Sequence, residues 1–204
     1  VWTLKEVNDA VMGGYWREAG AKGLVSGDNS QGTTIDQVII ASAGDATDFG
    51  DLSSGRNQQG SFSSFNRAVW TGGLSPSIVD VIDYVNFASA GNAADFGNLS
   101  VARRLPSACG NVTRGITNGG YTGSGSNVID YVTIASTGNA VDFGNLSVTR
   151  FVSGSTASVT RGVTAGGGTP STSNVIDYVT LATTGDSTDF GDLEEANDGG
   201  PAGL

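Results

Sequence analysis

The feature that most constrains this chain is an internal repeat with a period of 47 residues. The motif Ile-Asp-X-Val begins at positions 35, 82, 129 and 176, and the tripeptide Asp-Phe-Gly begins at positions 48, 95, 142 and 189. Four such units fill nearly all of the 204 residues. In proteins built from a fixed repeat, each unit buries its apolar face only against its neighbours. The chain is therefore expected to fold as an array of four similar units.

Each unit has the sequence pattern of short β-strands. The run from Ile129 to Ala135 is apolar, β-branched and aromatic, which is typical of a largely buried strand. Gly-Asn or Gly-Asp pairs follow this run in every unit and indicate turns, and no helical period occurs inside the units. Three or four strands in such a unit predict a propeller blade, so the expected fold is an all-β propeller with four blades.

Charged residues keep the same period. The repeated aspartates lie inside apolar strands, at Asp36, Asp83, Asp130 and Asp177. Two series of arginines recur as well: Arg56, Arg103 and Arg150, and Arg67, Arg114 and Arg161. Because a buried carboxylate without a partner is costly, we expect structural pairing of these aspartates with arginines rather than a carboxylate ring around a channel. Each arginine of the second series should reach a repeated Asp or a turn carbonyl.

The first residues do not follow the repeat. Thr3 to Glu6 forms a capping box, Leu4, Val7 and Val11 make an apolar stripe, and Gly13-Gly14 ends the pattern. The sequence thus predicts a short N-terminal helix in a leader, residues 1–16, that attaches the domain to something else. Residues 17–204 form the four-repeat domain.

Composition excludes several classes of function. The formal net charge is −10, which disfavours nucleic acid and anionic lipid as partners, and no apolar run is long enough for insertion into a membrane. The chain contains no His, the commonest general base and the usual zinc or copper ligand, and its single cysteine, Cys109, cannot form an intrachain disulfide. We therefore expect no enzymatic activity, no catalytic residue and no cofactor.

The turns around Asp-Phe-Gly raise the possibility of a metal site. The segment from Gly44 to Asp51 contains three aspartates, and calcium prefers such oxygen ligands. In the alternative, Asp and Asn side chains hydrogen-bond their own backbone in a tight turn, while the Phe packs between blades. We favour the second interpretation because these residues suit such turns without any metal.

The order of features from Arg161 to Phe190 resembles the kelch repeat: a basic residue, a short apolar strand, Gly-Gly, a variable loop, an apolar-Asp-Tyr strand and an aromatic turn. The resemblance implies a β-propeller with small glycines near its axis. The leader from Val1 to Trp16, and repeats such as Asn127 to Ala140, look like segments of structural proteins of tailed, particularly marine, bacteriophages. That second resemblance implies a virion protein, a tail fibre, appendage or capsid decoration.

The candidate binding site lies in the loops, which vary between units. Loops on a constant scaffold suit recognition, and the three candidates are residues 72–79, 120–126 and 166–173, expected to differ in length and content. Phe62, Phe65 and Trp70 break the repeat, and they form either an exposed patch for sugar stacking or protein docking, or the core of a divergent blade. The predicted binding residues are Trp70, Tyr121, Thr122, Thr169 and Ser171.

The predicted function is recognition of a host-surface glycan or protein, or of another virion protein, by a component of the extracellular virion. The resemblance implies other virion proteins and further copies of the chain as partners. Two alternatives stay open: a cellular kelch-type adaptor that binds a partner protein through its loops, and an extracellular carbohydrate-active enzyme. Co-purification with virus particles distinguishes a virion protein from a cellular adaptor. Turnover of a panel of glycans distinguishes a carbohydrate-active enzyme from a protein that only binds glycans.

Overall fold

The computed structural model describes residues 22–27, 30–169 and 171–197. The leader helix and the domain boundary after residue 16 lie outside these residues. Every regular element in the described part is a β-strand, and the strands form four main antiparallel sheets, one for each repeat. The expectation of an all-β fold made of four repeated units is confirmed. The described part contains no helix long and apolar enough to cross a membrane.

The sheets are numbered in chain order. Sheet 1 contains β1 (Lys22–Ser26), β2 (Thr34–Ile39) and β3 (Thr47–Asp51). Sheet 2 contains β4 (Gly60–Ser63), β5 (Arg67–Thr71), β8 (Val81–Asn86) and β9 (Ala94–Asn98), with the small hairpin of β6 (Leu74–Ser75) and β7 (Ser77–Ile78) between β5 and β8. Sheet 3 contains β10 (Ser107–Gly110), β11 (Arg114–Asn118), β12 (Ser126–Thr133) and β13 (Val141–Arg150). Sheet 4 contains β14 (Gly154–Ala157), β15 (Arg161–Ala165), β17 (Ser171–Thr180) and β18 (Thr188–Asn197), and β16 (Gly168–Thr169) pairs with the start of β17.

The Asp-Phe-Gly motif forms a β-bulge in the last strand of each sheet, which we call its outer strand. In sheet 2 this strand is β9. Ile82 pairs with Gly97 and Asp83 pairs with Asp95, so Phe96 is the extra residue. The Asp95 carboxylate accepts a hydrogen bond from the backbone N–H of Gly97 at 3.0 Å, and equivalent bonds occur in the other three sheets. The side chain of Phe96 is buried in the interface with sheet 3. The aspartate of each Asp-Phe-Gly motif therefore hydrogen-bonds its own backbone, as the favoured interpretation predicted, but it does so in a β-bulge and not in a tight turn.

Consecutive sheets pack against each other through apolar clusters, and each such interface is called a joint. At the first joint sheet 1 contributes Ile35, Phe49 and Leu52, and sheet 2 contributes Ala68, Trp70 and Val85. The second and third joints bury largely equivalent residues. The first strand of sheet 3, β10, contacts the first strands of sheets 2 and 4, which are β4 and β14, whereas the last strands of successive sheets make fewer contacts. The sheets therefore spread apart from their first strands outwards, in a propeller-like manner. No apolar cluster, hydrogen bond or ion pair joins sheet 1 to sheet 4 among the described residues.

A buried ion pair crosses each joint. Arg56 Nη1 lies 2.7 Å from Asp83 Oδ2, and Arg103 Nη2 lies 2.6 Å from Asp130 Oδ2. Arg150 and Asp177 form the third pair, and all six side chains are fully buried. Arg56 and Arg103 follow the last strand of one sheet and Arg150 ends it, while each aspartate belongs to the next sheet, so each pair connects two repeats. The predicted structural pairing is confirmed for these three aspartates. Asp36 in β2 is exposed instead.

The second arginine series reaches turn carbonyls, as predicted, at two of its three positions. Arg67 Nη1 donates to the carbonyl of Ile134 at 2.8 Å, and Arg114 Nη1 donates to that of Leu181 at 2.6 Å. Both acceptors lie in the turn after a strand of the next sheet. Arg161 lies over the Tyr178 ring, with Cζ 4.4 Å from the centroid. Its guanidinium makes no bond to a turn carbonyl or an aspartate within the described part, where no fifth sheet follows.

Candidate functional site

The three predicted binding loops are closed hairpins of equal size on one side of the array, which we call the loop face. A backbone hydrogen bond closes the base of each hairpin: Val79 to Gly73 at 3.0 Å, Ser126 to Gly120 at 2.8 Å, and Ser173 to Gly167 at 2.9 Å. The bonded residues are the same number of positions apart in all three, so the expected difference in length among these loops is wrong. The difference lies in their side chains, which a common backbone presents at equivalent positions.

The residue directly after each buried arginine also varies between repeats. These residues come just before the first strand of the next sheet, at what we call the inner edge of the loop face. Three isolated bridges recur at the repeat period, namely Asn57 with Leu74, Arg104 with Tyr121, and Phe151 with Gly168. The backbone arrangement is the same in each repeat, yet the paired residues have different chemistry. This combination of constant backbone and changing side chains is what a recognition surface needs.

The backbone is strained at the residue that directly follows each of Asn57, Arg104 and Phe151. Gln58, Leu105 and Val152 have φ values of 60°, 54° and 56°, a left-handed conformation that side chains other than glycine rarely adopt. The N–H of Leu105 donates to the Gln58 carbonyl at 2.8 Å, and the N–H of Val152 donates to the Leu105 carbonyl at 3.1 Å. Such conformations persist only where the surroundings hold them, and they cluster at functional sites. The strain recurs here in consecutive repeats and fixes the inner edge of the loop face.

Four half-buried side chains form a continuous surface there, which we call the loop-face strip: Gln58, Arg104, Tyr121 and Phe151. The Arg104 guanidinium lies over the Tyr121 ring, with Cζ 4.8 Å from the centroid, and its Nη1 donates to Gln58 Oε1 at 3.2 Å. The rings of Tyr121 and Phe151 meet edge to face, with centroids 5.4 Å apart. The strip therefore combines an amide, a cation and two aromatic rings held in one geometry.

A cleft of about 370 Å³ opens at the sheet 1 end of the strip. Its lining includes Ser26, Asn57, Gln58, Gln59, Ser61 and Trp70. Gln59 Nε2 donates to Ser26 Oγ at 3.1 Å, but within the described part of the chain Gln59 Oε1, Asn57 Oδ1 and the Arg104 Nε have no hydrogen-bond partner. Because buried polar atoms are nearly always hydrogen-bonded, to protein or to water, their presence gives the cleft and the strip a polar character that suits a polar ligand.

The predicted aromatic patch is not formed. Phe62 and Trp70 are only 8% and 4% exposed and belong to the apolar core, which agrees with the core alternative. Trp70 is nevertheless one of the residues that line the cleft. Phe65 is 60% exposed, but it lies at the tip of the β4–β5 hairpin, at the opposite end of the strands from the loop face. These three aromatic residues therefore do not meet on one surface.

The other predicted residues all lie on the loop face. Tyr121 is part of the strip, Thr122 is exposed at the tip of its hairpin, and Ser171 is exposed at the start of β17. Thr169 lies in β16, and its side chain is outside the described residues.

Sequence reasoning missed Arg104 and Phe151, which the fold brings against Tyr121. The signal that could have found them is the position after each periodic arginine, which reads Asn57, Arg104 and Phe151. An invariant position followed at once by a variable one marks a side chain that the scaffold does not need.

The most nucleophilic residue type in the chain is placed away from this surface. Cys109 in β10 is buried, and burial raises the pKa of its thiol to about 12, although hydrogen bonds with the Asn118 side chain and the Val163 backbone act against this rise. A thiol with such a pKa is not a nucleophile near neutral pH. The chemistry of the strip and cleft is hydrogen bonding, stacking and charge attraction, which serve binding.

No family model matches the chain, and no curated protein matches it. Neither the resemblance to kelch repeats nor that to phage structural proteins thus gains support from a match.

Proposed function

We propose that the protein is a non-enzymatic recognition module, a kelch-like β-propeller of a tailed-phage virion, whose loop face binds a host-surface glycan. The observation that carries the binding function is the loop-face strip and its adjoining cleft. Amide and hydroxyl groups of Asn57, Gln59 and Ser61 suit the hydroxyls of a sugar, and the exposed parts of Tyr121 and Phe151 suit its apolar faces. The virion context is supported only by the sequence resemblance of the leader and the repeats.

The geometry favours a ligand longer than one sugar. The cleft lies at the joint of sheets 1 and 2, while Tyr121 and Phe151 lie farther along the array, in the third repeat and directly after it. Arg104 connects the two parts through its hydrogen bond to Gln58 and its contact with Tyr121. An oligosaccharide that spans both parts would hydrogen-bond with the polar groups of the cleft and stack on the strip. A carboxylated sugar would also pair with Arg104.

The test is binding of the labelled protein to a glycan array, followed by titration of the best ligand. Arg104→Ala should weaken that binding about tenfold or more, because it removes the cation and the support of the Tyr121 ring. Arg161→Ala is the matched control, since it removes another arginine over a tyrosine, at the opposite end of the strands. Equal losses in the two variants would contradict the assignment of the loop face.

Further measurements distinguish this proposal from the two alternatives, a carbohydrate-active enzyme and a cellular adaptor. Product formed from a bound glycan would favour a carbohydrate-active enzyme, and the absence of the protein from purified phage particles would remove the virion context. Binding to a cellular protein through the strip, with no glycan bound, would favour the adaptor.

A further inference from the structure

Within residues 22–27, 30–169 and 171–197, the surface at the end of sheet 4 is one half of a joint that no other sheet completes. Phe49, Phe96 and Phe143 are each 2% exposed, because the next sheet covers them, whereas the equivalent Phe190 is 54% exposed. Leu193 is likewise only half-buried, whereas the leucines at the equivalent positions are buried: Leu52, Leu99 and Leu146. Sheet 4 therefore exposes the apolar residues that the three internal joints bury.

The opposite side of sheet 1 has the complementary half. Ile40 is 64% exposed, while the equivalent residues Ile134 and Leu181 are each 1% exposed against the preceding sheet. Val25 is 65% exposed, while Trp70 at the equivalent position is 4% exposed. The two ends of the array thus have the matching surfaces of one missing joint.

Backbone groups at the two ends match as well. At the first joint the N–H groups of Gly91 and Ala93 each donate at 2.7 Å, to the carbonyls of Phe49 and Asp51 respectively. The same pair of bonds recurs at the second and third joints. The equivalent donors in sheet 1 are Gly44 and Ala46, which are exposed, and the equivalent acceptors in β18 receive no such bond in the described part of the chain.

The polar part of a joint is altered at the end of sheet 4. In each internal joint the aspartate is held by an arginine and by a serine, as Asp130 is by Arg103 and Ser100. At the end of sheet 4, Glu194 stands at the serine position and Asn197 stands at the arginine position. A sheet 1 docked there would bring Asp36 towards Glu194 instead of a guanidinium, so this joint would be weaker than the other three.

We propose that sheet 4 of one copy docks head to tail on sheet 1 of a second copy, in the geometry of the internal joints. Each internal joint uses an apolar face together with a donor turn, and among the described residues sheet 1 is the repeat whose Ile40 and Val25 are exposed and whose donor turn makes no such bond. Two copies would bring together eight sheets, the upper end of the usual range of propeller blades. The missing ion pair and the charge of −10 on each copy make the association reversible and favoured by salt.

The test measures self-association of the full chain by sedimentation equilibrium over a range of concentrations and salt. The wild type should associate more strongly at high salt, and Phe190→Ser should abolish the association. The double variant Glu194→Ser/Asn197→Arg restores the serine and arginine and should associate about tenfold more tightly or better. Adding Asp36→Asn to that double variant should remove the gain, because the new arginine then loses its partner.

The matched control is Ser89→Arg/Ser136→Arg, which makes the same change in net charge on two exposed turns. A gain as large in this control would show that charge alone drives association, and would overturn the proposal. A wild type that stays monomeric at all concentrations would overturn it too, whatever the repaired variant does. Association that survives Phe190→Ser would place the contact on another surface.

Discussion

The buried ion pair of the second joint gives a strong test of how the repeats are held together. Arg103 donates to Asp130, and it also donates to the carbonyls of Val128 and Thr117, each at 3.3 Å. Arg103→Met keeps most of the apolar stem and removes the guanidinium. Among the described residues the Asp130 carboxylate then keeps its bonds from Ser100 alone, and one buried and one half-buried carbonyl each lose a donor. Breaking a fully buried pair in this way costs about 3–5 kcal/mol, a large part of the roughly 5–15 kcal/mol that stabilises a typical domain.

The measurement is thermal and urea unfolding followed by circular dichroism. A loss of that size should lower Tm by roughly 6–20 °C in a chain of this length. Arg104→Met is the matched control, because the neighbouring arginine is half-buried, bonds Gln58 and lies over Tyr121. Its loss should cost about 1 kcal/mol or less.

The double variant Arg103→Met/Asp130→Leu separates the two possible causes of a large loss. If the cost comes from an aspartate left buried without its cation, replacing both partners by apolar residues should recover most of the stability. Burial lowers the pKa of Arg103, against the attraction of Asp130, which shows that desolvation opposes the pair. An unchanged Tm in Arg103→Met, or a fall no larger than in Arg104→Met, would refute the role of the pair in holding the joint.

Two further predictions concern a glycine and the cysteine. Gly97→Ala should destabilise the protein by about 3 kcal/mol in urea unfolding, because φ is 145° and the new Cβ would overlap the Gly138 backbone, whereas Gly44→Ala, in open space, should change stability little. The raised pKa of Cys109 means that the unfolded chain loses this proton first as pH rises. Its contribution to the free energy of unfolding is therefore intact below the ordinary thiol pKa of 9.0 and falls by about 1.4 kcal/mol per pH unit until about 12. Cys109→Ala should lack this part of the alkaline decline, and equal declines in the two proteins would contradict the burial of the thiol.

The repeat, the strands and the structural use of most of the periodic charges could be predicted from the amino-acid sequence. A fixed spacing of apolar strands and glycine turns specifies the same local structure four times, because strand and turn preferences are local. For Asp83, Asp130 and Asp177, the position inside an apolar strand correctly predicted a buried partner, because burying an unpaired carboxylate is costly in any fold. Asp36 has the same sequence position but is exposed, because no described sheet packs over it. Which arginine serves each aspartate depended on the packing of one sheet on the next.

The positions of the candidate binding surface and of the open ends depend on how the sheets pack on one another. Arg104 meets Tyr121 because a backbone bridge pairs the segment after sheet 2 with the loop of sheet 3. Phe151 reaches the other side of Tyr121 from the position equivalent to Arg104 in the next repeat. Trp70 looked available for binding because it is unique in the repeat, yet the first joint needed a large side chain and buried it. The exposure of Phe190 is likewise invisible in a motif that is identical in all four units. Whether a repeated residue is core or surface depends on whether another sheet packs over it, which is a property of the assembled array and not of the local sequence.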